Sequence, residues 1–309
     1  MFKLKILVTG GAGFIASHVA DAYIKAGHEV VIIDNLSTGK EQNLNPNAKF
    51  YNIDIRDEKI EEIFKEHNFD IVNNHAAQMN VRVSVENPIL DAQINVLGLI
   101  NLLNNCVKYK VKKFIEVSSG GVIYAPDAPF PLVEVAKKGP ISPYGITKLT
   151  GERYVEFFSK TYGLKFSALR YSNVYGARQN PKGEAGVISI FATSMINNKQ
   201  PIIFGDGTQI RDYVYVKDVV AANVAVLTIG DNEAFNIGTG IETDVNGIFK
   251  VLKDAIGYDK DAKHIDAKPG DLQRNVLDNS KAKSILNWEP KFELKEAIKE
   301  TVAWFRSNV

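Results

Sequence analysis

Up to about residue 170 the chain alternates short apolar runs with longer stretches whose apolar positions recur every three or four residues. The short runs predict strands at 4–9, 29–33, 49–53, 70–74, 113–117 and 165–170, and the longer stretches predict helices at 14–26, 57–67, 88–109 and 143–162. Such alternation implies a parallel sheet with helices on both faces. Runs such as Phe114-Ile115-Glu116-Val117 suit strands covered on both sides. After residue 172 the rhythm changes. A loop at 176–186, rich in Gly, Pro, Asn and charge, leads to a helix at 187–197, strands at 201–204 and 211–216, a helix at 217–229 and a strand at 234–237. The last part, 244–309, reads as two or three helices and a loop at 266–275, with no internal repeat and no low-complexity tract.

Composition narrows the class. With 309 residues, 45% of them hydrophobic, the chain can bury a large core. Its 37 basic and 36 acidic side chains nearly cancel, which argues against nucleic acid or an anionic membrane as the main partner. Cys106, alone of its kind, sits in an apolar helical stretch and reads as a small buried hydrophobe. The first apolar run is short enough to be a strand rather than a secretory signal, and no stretch approaches the roughly 18 apolar residues of a membrane span. The expectation is a soluble cytoplasmic protein.

The first candidate chemistry is Thr9-Gly10-Gly11-Ala12-Gly13-Phe14-Ile15-Ala16, placed between a strand and a helix. A tight glycine turn there aims backbone N–H groups and the positive end of a helix at a diphosphate. Gly10 makes the sharp turn, Gly13 allows close approach, and Ala16 is small enough for the helix to pack on the strand. A second strand ends on Asp34, near the offset at which a carboxylate accepts hydrogen bonds from ribose hydroxyls. That acid favours NAD over NADP because it would repel a 2′-phosphate.

The second is Ser142-Pro143-Tyr144-Gly145-Ile146-Thr147-Lys148. Ser142 suits an N-cap and Pro143 the first helical position. Tyr144 and Lys148 are four apart and share a helix face. A free phenol titrates near about pH 10, and a shift of about three units needs roughly 4 kcal/mol. A neighbouring ammonium and a positive nicotinamide ring are the groups expected to supply it.

Together these segments resemble the extended short-chain dehydrogenase/reductase family, over essentially the whole chain, and within it the UDP-glucose 4-epimerase group. The resemblance is carried by Thr9–Ala16, Asp34–Ser37, His75–Gln78, Ser118–Ala125, Ser142–Lys148, Arg170–Gly176 and Arg211–Val216. It implies an α/β fold: a Rossmann-type doubly wound parallel sheet (1–172 with about 205–232) that binds NAD. A smaller C-terminal α/β part (173–204 and 233–309) would bind the nucleotide sugar. By the same resemblance Gly10, Gly13, Phe14 and Ile15 hold the cofactor phosphates. Asp34, Asn35, Thr38 and Gly39 surround the adenosine ribose, and Asp54 and Ile55 flank the adenine. Ala76, Ala77, Gln78 and Tyr171 line the path to the nicotinamide, Lys148 bonds its ribose, and Asn95 contacts that loop either as a cofactor ligand or as a structural brace.

For the substrate, the resemblance puts Asn173, Gly186, Val187 and Arg211 at the diphosphate, with Arg274 or Lys268 as a second cation. Phe204 would lie against the uracil, Asp271 at the uridine ribose, and Arg82 near the sugar. Tyr144 is the acid/base. A hydroxyl beside it comes from Ser119, presented by a local bulge, or from Ser118. Where related dehydratases and decarboxylases carry acids in this loop, the chain has Gly120, Gly121 and Val122. That leaves hydride transfer with one acid/base, which is what inversion at C4 of UDP-glucose or UDP-galactose requires. Asn275, where some members have a bulky Tyr, suggests room for N-acetyl sugars. The alternatives are another nucleotide-sugar epimerase, such as one acting on UDP-glucuronate, a ketoreductase, or a non-catalytic NAD-sensing scaffold. No metal ligand is expected. Relatives pair through the helices at 88–109 and 143–162, so a homodimer is expected. Ile100, Leu103, Val107, Val155 and Phe158 would serve either that contact or the sheet.

Overall fold

In the computed structural model, which describes residues 3–182, 186–267 and 272–308, seven strands form one parallel sheet. Across it they run Glu233–Ile237, Lys165–Tyr171, Lys113–Ser119, Ile71–Asn74, Lys5–Thr9, Glu29–Asp34 and Lys49–Asn52. The chain first builds outward on one side of Lys5–Thr9, then crosses over and builds on the other. The order therefore reverses between Lys5–Thr9 and Ile71–Asn74, and at such a reversal the connecting segments part and leave a crevice at the carboxyl ends of the strands.

The apolar runs are continuous because each face of the sheet is covered. Ile6 and Val8 pack with helix Phe14–Lys25 and with Val219 and Ala222 of helix Val216–Ala225, while Leu7, between them, joins Phe64, Leu102 and Val155 on the other face. Burying one such aliphatic side chain contributes about 1.5–3 kcal/mol. A third cluster, around Phe191, Ile248 and Phe305, joins helices Val187–Ile196, Val245–Ile256 and Leu294–Asn308 into the second part of the chain.

Several details differ from the sequence expectation. Residues 233–237, assigned above to the second part, form the edge strand of the large sheet, paired with Lys165–Tyr171. Their alternation reflects burial against the sheet and does not reveal which sheet. The helix expected at 88–109 is continuous from Pro88 to Lys108 but widens into a π-helical stretch, Gln93–Gly98, between Pro88–Ala92 and Leu99–Lys108. A further short helix, Val81–Glu86, precedes it, capped by the Asn80 side chain, which accepts from the N–H groups of Arg82 and Val83. Six residues are too few to display a helical period.

The strand expected at 211–216 divides at Asp212. That carboxylate is fully buried and accepts from the N–H groups of Thr239, Gly240 and Leu277 and from the Thr239 hydroxyl. Ile210–Arg211 therefore pairs in a small sheet with Thr243–Asp244 and Arg274–Asn275, whereas Tyr213–Tyr215 pairs with Asn173–Tyr175. Asp212 thus ties three segments together.

Candidate active site

At the reversal point lies a cleft of about 690 Å³. Its floor is the glycine turn. Gly10 has φ +66°, and a Cβ there would come within 2.9 Å of the Ala76 backbone nitrogen, so the residue must be glycine on both counts. At Gly13 an added Cβ would stand 3.0 Å from the Gly10 carbonyl oxygen. Phe14, Ile15 and Ala16, in the first turn of the helix that follows, also line the cleft. This is a cradle in which backbone amides at a helix N-terminus can meet phosphates.

Asp34 ends its strand at one wall. Its two carboxylate oxygens accept from Leu36 N–H at 2.7 Å and Ala12 N–H at 3.0 Å. Burial pushes the carboxyl up, by more than those two bonds pull it down. Gly39 packs so tightly that a Cβ would sit 2.9 Å from both Asp34 oxygens. Asn35, Thr38, Asp54 and Ile55 line the same end. Asp54 is held at about 2 by the Arg56 guanidinium, and it also accepts from the Arg56 N–H at 2.9 Å and from Asn35 Nδ2 at 2.7 Å. A cup of this shape, lined by the carboxylates of Asp34 and Asp54 and, at this end among the described residues, by no cation, fits an adenosine with free ribose hydroxyls. The residues present therefore fit a dinucleotide.

Ala76, Ala77 and Gln78 form the crossover on the opposite wall. Gln78 is held by Asn95, whose Oδ1 accepts the Gln78 N–H and whose Nδ2 donates to the Gln78 carbonyl, both at 2.8 Å. The remaining bonds of Asn95 go to Asp91 and Thr147, and it does not line the cleft. Of the two expected roles, this geometry is that of a brace.

Ser142 caps helix Pro143–Tyr162 as expected, its hydroxyl accepting the Gly145 N–H. Tyr144 and Lys148, one turn apart, both reach the cleft. Lys148 is fully inside: its Nζ donates to the Val117 carbonyl at 2.7 Å, and burial lowers its pKa while Glu116, Asp91 and Glu152 raise it. The Tyr144 N–H donates to Ser84 Oγ, which fixes the start of the helix against Val81–Glu86.

Strand Lys113–Ser119 stays in register to its last residue, Ser119 opposite Tyr171, so no bulge presents the hydroxyls. The simple alternation of the strand separates them instead. Ser118 Oγ donates at 2.5 Å to Glu152, which is also gripped through both oxygens by Arg170. Both line the cleft, and Ser119, with no bond to Glu152, is the less buried of the two. Beyond it, a Cβ on Gly120 would meet the buried Leu277 side chain at 2.5 Å, so a larger residue there would have to displace that side chain.

Tyr171 closes the inner end. Its hydroxyl accepts from Asn223 at 2.7 Å and stands 3.4 Å from His75 Nε2. His75 is driven down to about 3 by burial and by the Lys148 charge, so it is a neutral ring. His75, Ser172 and Gln179 line the cleft, and each keeps a buried polar atom without a protein partner. His75 and Ser172 lie in segments that carry the resemblance, but no role was expected of them or of Gln179; the orphaned atoms are visible only once the chain is folded.

The substrate residues divide. Asn173, Gly186 and Val187 line the cleft. Phe204, Arg211 and Arg274 stand outside its lining, on strands Ile202–Phe204, Ile210–Arg211 and Arg274–Asn275. Arg274 pairs with Glu242, and its guanidinium lies 5.2 Å from the centre of the Phe130 ring. Arg82 is exposed on helix Val81–Glu86 and does not line the cleft. Lys268 and Asp271 lie outside the described residues.

The sequence profile of the NAD dependent epimerase/dehydratase family matches residues 6–238. A putative UDP-glucose 4-epimerase of Methanocaldococcus jannaschii is 49% identical over 98% of this chain and 99% of its own length. The crystal structure of the Thermotoga maritima UDP-glucose 4-epimerase with UDP-glucose superposes with a TM-score of 0.97 at 51% identity, covering 98% of this chain and 99% of that one. That of the Thermus thermophilus UDP-glucose 4-epimerase with NAD gives 0.94 at 39% identity, covering 99% and 100%.

Proposed function

The chain belongs to the NAD-dependent epimerase/dehydratase family, and from that premise we propose that it is a UDP-glucose 4-epimerase, interconverting UDP-glucose and UDP-galactose with bound NAD. The observation that carries this reading is the meeting of Tyr144, Lys148 and Ser119 with the glycine cradle in one cleft.

When bound between Gly10, Asp34 and Gln78, NAD supplies a reversible hydride acceptor. Tyr144 removes the proton from the sugar O4 as C4 is oxidised and returns it once the 4-keto sugar has presented its other face. Lys148, anchored on the Val117 carbonyl, keeps a positive charge beside that phenol. Ser119 hydrogen-bonds O4. Asn173 and the amides at Gly186–Val187 hold the diphosphate, with Arg211 and Arg274 reaching it from the small sheet and Phe204 against the base. The loop of Ser119, Gly120 and Gly121 offers no carboxylate for eliminating water from the sugar, in keeping with an epimerase.

Purified protein is expected to convert UDP-galactose to UDP-glucose without added nicotinamide, followed by coupling to UDP-glucose oxidation. Absence of turnover with full NAD occupancy would remove the assignment. Asn275 lies behind the loop, its Nδ2 3.3 Å from the Gly120 carbonyl. A bulky ring does not fill that position, so UDP-N-acetylglucosamine is expected to be turned over as well; no product from it would limit the substrates to the plain hexoses.

The chain forms a homodimer in this reading. Leu103, Val155 and Phe158, offered above for the contact, are buried in the sheet core. Val85, Ile89, Leu97, Ile146 and Phe157 are instead exposed on the same group of helices. Ile146 and Phe157 are eleven residues apart, three turns, and so share a stripe. Light scattering is expected to give a dimer mass for the wild type and a monomer for Ile146→Glu/Phe157→Glu. A variant that stays dimeric would place the interface elsewhere.

A further inference from the structure

Glu116 is a carboxylate in the middle of a central strand, 2% exposed, and the reaction derived above does not use it. It closes a polar ladder across three adjacent strands. Thr9, Asn74 and Glu116 stand opposite one another in register. The Thr9 hydroxyl donates to Asn74 Oδ1 at 2.7 Å, and Asn74 Nδ2 donates to Glu116 Oε2 at 2.9 Å. The Thr9 oxygen in turn accepts the N–H groups of His75 and Ala76, at the crossover that lines the cleft.

The charges facing Glu116 come from helix Pro143–Tyr162: Lys148 attracts it and Glu152 repels it. Glu152 is already neutralised by Arg170 through two bonds, at 2.8 Å and 2.7 Å. From strand Lys165–Tyr171, the Tyr171 phenol is pushed up in part by Glu116. Asp91, the other acid felt by Lys148, spends its oxygens on Thr147, Gln78 and Asn95. Lys148 hangs from the carbonyl of Val117, the residue next to Glu116.

We propose that Glu116 is a positioning residue for the epimerase reaction, the buried counter-charge that keeps Lys148 an ammonium beside Tyr144 and releases that hold when it takes up a proton. The inference rests on the epimerase reading. Geometry puts the carboxylate on the helix that carries Lys148: Glu116 Oε1 lies 3.3 Å from where a Cβ of Gly151 would stand, three residues on from Lys148, whose Nζ bonds the carbonyl of the next strand residue. Burial, opposed by Lys148 and Asn74, brings the carboxyl to about 7, so its proton exchanges within the working range. Above that pH the ion balances Lys148. Below it the neutral acid removes the first of the negative charges that favour the ammonium, leaving only Asp91 and the Arg170-paired Glu152, and the phenolate loses support.

Glu116→Gln fixes the acid-side state at every pH. The expected result at pH 8 is a fall in kcat of about tenfold, the loss of one pH unit of coupling, with KM for UDP-galactose unchanged within about twofold. At pH 6 the two enzymes should converge, and Glu116→Asp should recover much of the pH 8 rate. A merely structural role would instead lower kcat equally at all pH values. Infrared difference spectra of the wild type should show one protonated carboxyl band that titrates near pH 7 and is missing in Glu116→Gln. A wild-type pH profile in Glu116→Gln, or a carboxyl band the substitution leaves in place, overturns the proposal. If the glutamine variant does not fold, the aspartate variant and the wild-type band still decide it. The infrared titration needs no turnover, so it judges Glu116 even if the wild type fails to epimerise.

Discussion

Tyr144→Phe is expected to lower kcat for UDP-galactose by about two to four orders of magnitude, the usual loss when a positioned acid/base is removed. The substitution deletes one oxygen and leaves the ring, the N-cap at Ser142 and the bond from the Tyr144 N–H to Ser84 in place. Folding and the position of Lys148 should therefore persist. Binding of UDP should change little, because the groups proposed for the diphosphate, Asn173 and the Gly186–Val187 amides, belong to other segments. Rapid-quench measurement of kcat together with calorimetric titration of UDP separates the two effects. A variant that turns over near the wild-type rate would show that another group moves the O4 proton. The pH profile provides an internal check, since the wild-type rate should fall on the acid side as the phenolate is lost, and the residual rate of Tyr144→Phe should lack that limb.

Gly10→Ala is the second large effect, and it acts on the cofactor. A side chain at φ +66° costs about 1–2 kcal/mol in backbone energy. The added methyl would also lie 2.9 Å from Ala76 N and 3.0 Å from Ala76 Cα, and backbone atoms cannot rotate away. Relief requires the turn and the crossover to separate. Because the Thr9 hydroxyl ties Ala76 to the same turn, the movement should open the cleft from the phosphate end to Gln78. The protein is expected to purify without nicotinamide, to bind added NAD at least tenfold more weakly, and to lose activity that high NAD restores in part. Retention of stoichiometric NAD after gel filtration would show that the turn does not hold the phosphates. Ala16, small and buried 2% exposed, already shows how little room the segment leaves.

Much of the site was legible in the order of residues because its signals are local. The turn at Gly10, the acid at the end of a strand at Asp34 and the spacing of Tyr144 and Lys148 each depend on a few neighbours and on the geometry of one element. Ser119 was legible only in part. The expectation of a bulge took two serines as needing a special loop, while an unbroken strand already turns Ser118 toward Glu152 and leaves Ser119 at the cleft. Asn95 could be read either way until its amide was seen clasping both backbone groups of Gln78. Glu116 carried a signal, a lone acid in an apolar run, that pointed to a buried charge without naming its partners.

The sequence by itself determined the alternation of strands and helices, the two-sided burial of the sheet, the dinucleotide turn and the shared helix face of Tyr144 and Lys148, since hydrophobic period, glycine geometry and helical spacing act over a handful of residues. Only the tertiary structure decided that 233–237 closes the large sheet, that Asp212 knots three segments, which apolar side chains remain exposed, and that Thr9, Asn74 and Glu116 form one ladder. Those facts rest on strand order and register between distant segments, 42 and 65 residues apart in the two bonds of the ladder. Neither is fixed by local preference, because any strand of suitable pattern can satisfy a neighbour's hydrogen bonds until the packing of the whole core selects one arrangement.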